Sequence, residues 1–304
     1  MKGIFYSVVT LLFLAPLILL MITYLNYAET TTSSFTTKAL GDKMVSFSTS
    51  IDSDLPRASY IISKRAVDSA VVHVDTTGVP LDDAEVRLKE LMTNGTLYGN
   101  LSTLDFTFNS WIIQLKQKGQ SFGFNTSARL ASLSIVPSDN YNLLVSVQLI
   151  VNVTDKTGTM RLDRLYGGSS VIPIGDFIDP LYTLKTNGII KRTITIPNIT
   201  VFGQQNLDYA VAKKFYMRST SGPSFLDRLE GRLTIGPKYQ GITNIGLETI
   251  VNLPELQANG LPVKQDQSAV DYLYFDTAMQ SGTPVNSSYS WLRLDAEHKV
   301  KFGV

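Results

Sequence analysis

The sequence predicts an α+β fold carried on an N-terminal transmembrane helix, and three observations predict it. Residues 4–25 (IFYSVVTLLFLAPLILLMITYL) run without a charge. Segments between residues 44 and 119 then repeat apolar residues at helical spacings of three and four. Residues 143–154 alternate at period two. Helices followed by strands, rather than interleaved with them, point to helices layered on an antiparallel sheet.

The uncharged run is the first element. A helix rising about 1.5 Å per residue needs roughly twenty apolar residues to cross a bilayer. A secretory h-region is shorter, about 7–15 residues. Asn26-Tyr27-Ala28 also lacks the small residue wanted three positions before a signal-peptidase cut. The run therefore reads as a single-pass anchor in membrane lipid. Pro16 in its middle is tolerated in membrane helices and would kink this one.

Residues 26–43 are the second unit. Glu29–Thr37 (ETTTSSFTT) are weak helix formers with no apolar stripe, and read equally as a stalk or as a frayed helix end.

Residues 44–200 form the third unit, helices plus antiparallel sheet. Met44, Phe47, Ile51, Leu55, Ala58 and Ile62 make an amphipathic helix, with Asp54 and Pro56 marking a restart or bend. Asp82 with Glu85 offers a capping-box-like start to the next helix, and Asn94-Gly95 its end. Phe108, Trp111, Ile112 and Leu115 then line a third helix stopping near Gly119, with Trp111 as a core residue. Leu143, Val145, Val147, Leu149, Val151 and Val153 share one face of a strand. Asp155–Gly158 turns it back into Met160–Leu165, and Ala131, Leu133 and Ile135 alternate upstream before the turn at Pro137–Asn140. Ile189–Ile196 after Asn187-Gly188 is the expected fourth strand.

Residues 201–304 are expected to be a mixed α/β lobe. Leu207, Val211 and Phe215 mark one short helix, and Phe225, Leu226, Leu229 and Leu233 another beginning near Ser224. Tyr272–Phe275 reads as a buried strand.

Charge and composition exclude several roles. Beyond Lys2 the basic and acidic residues balance at 26 each, without a block of either sign, so no nucleic-acid footprint exists. There is no cysteine, so the fold rests on burial and hydrogen bonds. With two histidines, His73 and His298, thiolate metal sites and nucleophile–base pairs are almost excluded. Asp295, Glu297 and His298 fall short of the three or four convergent ligands at fixed spacing that a zinc site uses. The acidic pairs Asp52/Asp54 and Asp82/Asp83 sit at expected helix starts, where they complement the dipole. No catalytic, cofactor or metal site is expected, and the chain does not read as an enzyme.

Lys2 with the terminal amine favours a cytoplasmic N-terminus. N-x-[ST] patterns at Asn94, Asn100, Asn125, Asn152, Asn198 and Asn286 agree, because such acceptors matter only on an exported chain. The bulk of the chain is therefore expected outside the cytoplasm as a glycoprotein ectodomain. Asn152 lies inside a strand but on its polar face, which requires that face to be uncovered.

Met1-Lys2-Gly3 before Ile4-Phe5 resembles the short class III leader of archaeal type IV pilins. In that family a membrane peptidase cuts after a basic-plus-glycine pair and leaves the apolar helix on the chain. Residues 1–3 would be that leader, with Lys2, Gly3 and Ile4 at the cut; an uncleaved signal anchor has the same appearance. Bacterial pilins carry a glutamate where Val8 stands, and archaeal ones commonly lack it. The stretches SIDSDLPRA (50–58), DTTGVPLDDA (75–84), ELMTNGTLYGN (90–100), DPLYTLKTNG (179–188), FLDRLEGRL (225–233) and VDYLYFD (270–276) resemble archaeal membrane-anchored surface proteins of unknown activity. The resemblance implies a cell-surface protein partnered by pilus or envelope proteins, or by copies of itself. A membrane-anchored extracellular sensor or ligand-binding domain is the alternative expectation.

Overall fold

The computed structural model describes the backbone of residues 2–101, 104–198 and 203–304, with side chains there except at 2–11, 15 and 29–34. The architecture is α+β, helices packed on antiparallel sheet.

One helix, α1, runs from Lys2 to Thr77. At about 1.5 Å per residue its length is on the order of 110 Å. Its second half is the spine of the head. Met44, Phe47, Ile51, Leu55, Ala58 and Ile62 are buried, and the stripe continues through Ala66, Val67, Ala70, Val71 and Val74. Small hydroxyls on the same stripe let the helix approach its neighbours while staying hydrogen-bonded. Ser48 meets the Tyr166 hydroxyl at 2.7 Å, and Ser59 meets Ser170 at 2.9 Å.

The stretch Glu29–Thr37, expected as a stalk or a frayed helix end, is neither, because α1 continues through it. Thr and Ser disfavour helix by only about half a kcal/mol each, and an interruption would leave two further helix ends to be capped. Nor does the helix restart at Pro56, which lies inside it. The missing proline N–H is outweighed by the burial of Ile51, Leu55 and Ala58 around it. Asp52 and Asp54 consequently stand mid-helix and reach across to Arg164 (2.8 Å) and Lys118 (3.7 Å).

Helix α2 (Ala84–Asn94) is capped by Asp83, whose carboxylate accepts from Val86 N, rather than by Asp82. Asp82 is drawn instead to Arg87 at 2.8 Å. Gly95 ends α2 in the left-handed region at φ 72°, as Asn94-Gly95 predicts. A two-residue ladder (96–97 with 100–101) follows. Helix α3 (Phe108–Ser121) buries Phe108, Trp111, Ile112 and Leu115.

The sheet is a meander of β1 (Phe124–Asp139), β2 (Asn142–Asp155) and β3 (Arg161–Pro173). All six predicted apolar positions of β2 are buried, and its even-numbered positions are half-buried or exposed. A register shift between Leu130 and Ser132 leaves Ala131 as a bulge. The buried face of β1 therefore switches from Phe124 and Ala128 to Ile135.

The fourth expected strand is absent. Residues 189–196 are extended and keep the alternation, burying Ile190, Arg192 and Ile194, but form only a bridge from Thr193 to Ile178. Their backbone groups pair with the loop before α4 (Pro180–Lys185) and with Tyr216, not with the sheet edge.

The C-terminal third adds part of its apolar residues to the main core and packs the rest into smaller clusters of its own. It begins with α5 (Gln204–Lys213), β4 (Tyr216–Ser224), α6 (Phe225–Leu229) and β5 (Gly246–Thr249), which pairs with β4. Tyr216, Phe225, Leu226, Leu229, Tyr239 and Leu247 join the cluster built around α1 and the sheet. Asn140, at the β1–β2 turn, clamps the join by donating to Ser219 O (3.2 Å) and Gly246 O (2.5 Å). Short helices α7 (Leu253–Ala258), α8 (Asp271–Tyr274) and α9 (Ala296–Phe302) surround two smaller apolar clusters. Tyr272 and Tyr274 are thus in a helical turn, not a strand. Asp271 must turn its carboxylate inward onto Thr249 N (3.2 Å) and a buried arginine, and that contact overrides the aromatic preference for extended backbone.

Candidate functional site

The first half of α1 projects from the head. Among its described side chains, Leu12, Phe13, Leu14, Leu17, Ile18, Leu19, Leu20, Met21, Ile22, Tyr24 and Leu25 are all exposed, with Leu12 at 69% and Leu20 at 70%. A contiguous apolar surface of this kind is rare on a chain that works alone in water. The hydroxyl of Thr23 donates to the carbonyls of Leu19 (3.0 Å) and Leu20 (2.9 Å), so it is satisfied within the helix. Among the described residues no helix is long and apolar enough to cross a membrane. The described side chains of 4–25 are those of 12–14 and 16–25, fewer than the roughly twenty a crossing takes. The expected cut at Lys2, Gly3 and Ile4 lies outside the residues whose side chains are described.

The predicted acceptors fall at the surface. Asn94, Asn100, Asn125, Asn198 and Asn286 are exposed. Asn94 accepts from Asn109 at 2.9 Å. The hydroxyl residues that complete the Asn100 and Asn198 patterns, Ser102 and Thr200, lie outside the described residues. Asn152 is half-buried on the even-numbered face of β2 and its amide donates to Asp163 across the β2–β3 ladder.

Sequence reasoning missed the charge inside the molecule. Arg228, from α6, is completely buried between Asp179 and Asp271, each at 2.8 Å. Asp179 also caps α4 through Leu181 N and accepts from the Tyr216 hydroxyl at 2.8 Å. Arg228 donates further to Leu247 O at 2.6 Å. Burial works against the guanidinium charge, but the flanking carboxylates outweigh it and hold the Arg228 pKa above its ordinary value. Burial also pushes the Asp271 carboxyl up, with Arg228 pulling the other way. The signal was present in DPLYTLKTNG, FLDRLEGRL and VDYLYFD, each of which supplies one member of the triad. Nothing local to any of the three shows that they meet.

A second network closes the C-terminus. His298 Nδ1 lies 2.8 Å from Asp295 Oδ1, and Nε2 lies 3.2 Å from Glu248 Oε2. Lys301 reaches the other oxygen of Glu248 at 2.8 Å. Burial lowers the His298 pKa, but Asp295 and Glu248 override it and raise it to about 9. The imidazolium is an ion-pair partner here, with both nitrogens committed. His73 is half-buried beside the Tyr98 ring.

Asp82 and Asp83 line a cavity of about 190 Å³ between α2 and the C-terminal third. Arg87 beside Asp82 holds its carboxyl well below the usual carboxylate range. Asp83 pairs with Lys238, and Glu230 accepts from Ala84 N at 2.9 Å. The cluster is an ion-paired seam, and among the described residues no group of three or more His, Cys, Asp or Glu could hold a metal ion.

Comparison with protein-family models, with curated proteins and with solved structures finds no match for this chain.

Proposed function

We propose that the chain is a single-pass cell-envelope protein, anchored through residues 4–25 with its head outside the cytoplasm, and that it acts as a pilin-like or pilus-associated structural component. The observation that carries this reading is α1 itself. One helix serves at its C-terminal end as the spine of an α+β head, and at its N-terminal end presents exposed apolar side chains that the head does not cover. Water is the wrong environment for that end, so lipid or other apolar helices must surround it. The uncharged run, which extends beyond the described side chains to Ile4, supplies the length that a bilayer requires. The surface positions of the sequons support an extracytoplasmic head.

The sensor alternative needs an apolar pocket between the two parts of the head. The cavity at that position has Pro237 and Tyr239 in its lining, but also Asp82, Asp83, Glu230, Arg232 and Lys238, which already pair with neighbours. The exposed apolar end of α1 is what favours the structural-component reading.

Intact-mass measurement on the native protein, extracted from membranes, tests the proposal. A mature chain beginning at Ile4 is expected for the pilin-like form. A chain still beginning at Met1 removes that form and leaves an uncleaved anchor. Recovery of the full chain in the soluble fraction, without detergent, would overturn both.

A further inference from the structure

A groove of about 260 Å³ lies on the C-terminal third, and no residue of α1 or of either charge network lines it. Its walls come from α7 and the segments around residues 263–265 and 290–293. Leu253, Pro254, Val263 and Trp291 supply the apolar part. Trp291 is half-buried, packs against both small apolar clusters and pairs with the Tyr289 ring at 5.6 Å, so it is a fixed platform.

Around it stand Gln257, Gln265, Ser290 and Arg293. Gln257, Gln265 and Ser290 are exposed, and among the described residues their side-chain polar groups make no hydrogen bond. Arg293 forms a long ion pair with Asp266, at 3.9 Å, whose side chain is itself 93% exposed. The groove therefore gathers two amides, a hydroxyl and a guanidinium whose hydrogen-bonding capacity the fold leaves unused.

That set discriminates among ligand classes. No carboxylate lines the groove, which disfavours cations and metals. One arginine is a thin complement for a polyphosphate. Each glutamine amide offers a donor beside an acceptor, which matches the paired donor–acceptor hydroxyls of a sugar ring. The half-exposed indole offers an apolar surface for the C–H face of that ring. The volume falls just under the roughly 300–1,000 Å³ of drug-sized sites, which fits a single ring.

We propose that this groove binds a saccharide unit, with Trp291 as stacking platform, Gln257 and Gln265 as hydroxyl readers, and Arg293 directed at a ring or carboxylate oxygen. The assignment rests on the groove alone and stands or falls independently of the membrane anchor.

The test uses the full chain in a detergent without a sugar headgroup. Methyl glucoside, methyl galactoside, N-acetylglucosamine and glucuronic acid are titrated, read by saturation-transfer NMR on the ligand and by tryptophan fluorescence. Of the two tryptophans, Trp111 is in the core, so a fluorescence change reports Trp291. Saturable binding of at least one saccharide is expected, weakened at least about fivefold in Gln257→Ala/Gln265→Ala, the loss that one hydrogen bond of ordinary worth accounts for. The double variant should keep the parental melting temperature, since it removes no internal bond. The proposal is overturned if none of the four saccharides binds, or if the double variant binds as the parent does. Saturation by inorganic phosphate or adenosine, with no saccharide bound, would reassign the groove to an anion or a base.

Discussion

Arg228 has no exposed surface and two carboxylates within hydrogen-bonding reach, so its removal is harsher than the loss of one contact. Arg228→Met fills much of the same volume but leaves Asp179 and Asp271 buried and uncompensated. Breaking a buried pair in this way costs about 3–5 kcal/mol. For a chain of this size that corresponds to a fall in melting temperature of about 10 °C, measurable by thermal denaturation. His298 gives a pH dependence whose sign follows from its shift. Its folded pKa, about 9, lies above the ordinary 6.5, so its stabilisation is complete below about pH 6.5 and is lost as pH rises through about 9. The 2.5-unit gap corresponds to roughly 3 kcal/mol, a figure that already contains the contacts with Glu248 and Asp295. Asp295 shows the opposite case. It is held down to about 2 against burial, chiefly by His298, so its contribution is present above about pH 4 and lost as pH falls through about 2. Urea midpoints should decline between neutral and alkaline pH in the parent, and His298→Gln should be less stable at neutral pH with a flatter alkaline limb.

Among the elements, α3 and the sheet are pressed together at one residue. A Cβ on Gly119 would stand 2.0 Å from Thr126 Oγ1, 2.9 Å from its Cβ and 3.3 Å from the Phe47 ring. Rotating Thr126 can remove the first clash but not the second, so the strand or the helix must shift. Gly119→Val should destabilise by about 2–3 kcal/mol, the overpacking outweighing any gain in helix propensity. Denaturant unfolding would reveal it as a lower midpoint at unchanged slope. Element identity was legible wherever period and burial agree, as along Asn142–Asp155 and Phe108–Ser121. It was not legible at Tyr272–Phe275, where aromatic composition favours strand while the buried contacts of Asp271 select a helical turn. At Ile189–Ile196 the alternation was read correctly as burial. What it did not contain was a partner edge, and a strand exists only with one.

Over the whole molecule, the head and the projecting helix are separable in energetic terms. Described contacts of α1 with the core begin at the half-buried Leu40 and Gly41 and become complete from Met44 onward. A chain beginning at Lys38 should fold with a melting temperature within about 2 °C of the parent, since well under 1 kcal/mol of core contact is removed. It should stay in solution without detergent and no longer sediment with vesicles. Loss of cooperative unfolding in that variant would show that the projecting half is needed for the head to fold.

Residues 4–25 and the period switch from helix to strand are determined by the sequence alone, because a charge-free run and a repeating spacing are local and need no partner to be read. The continuity of α1 through the Thr/Ser segment, the joining of residues 216–247 to the main core, and the meeting of Asp179, Arg228 and Asp271 were decided only by the tertiary structure. Each of these depends on which distant surfaces exclude water from one another. Three charged residues separated by more than forty positions look solvent-exposed one by one, and only packing makes them one another's charge partners.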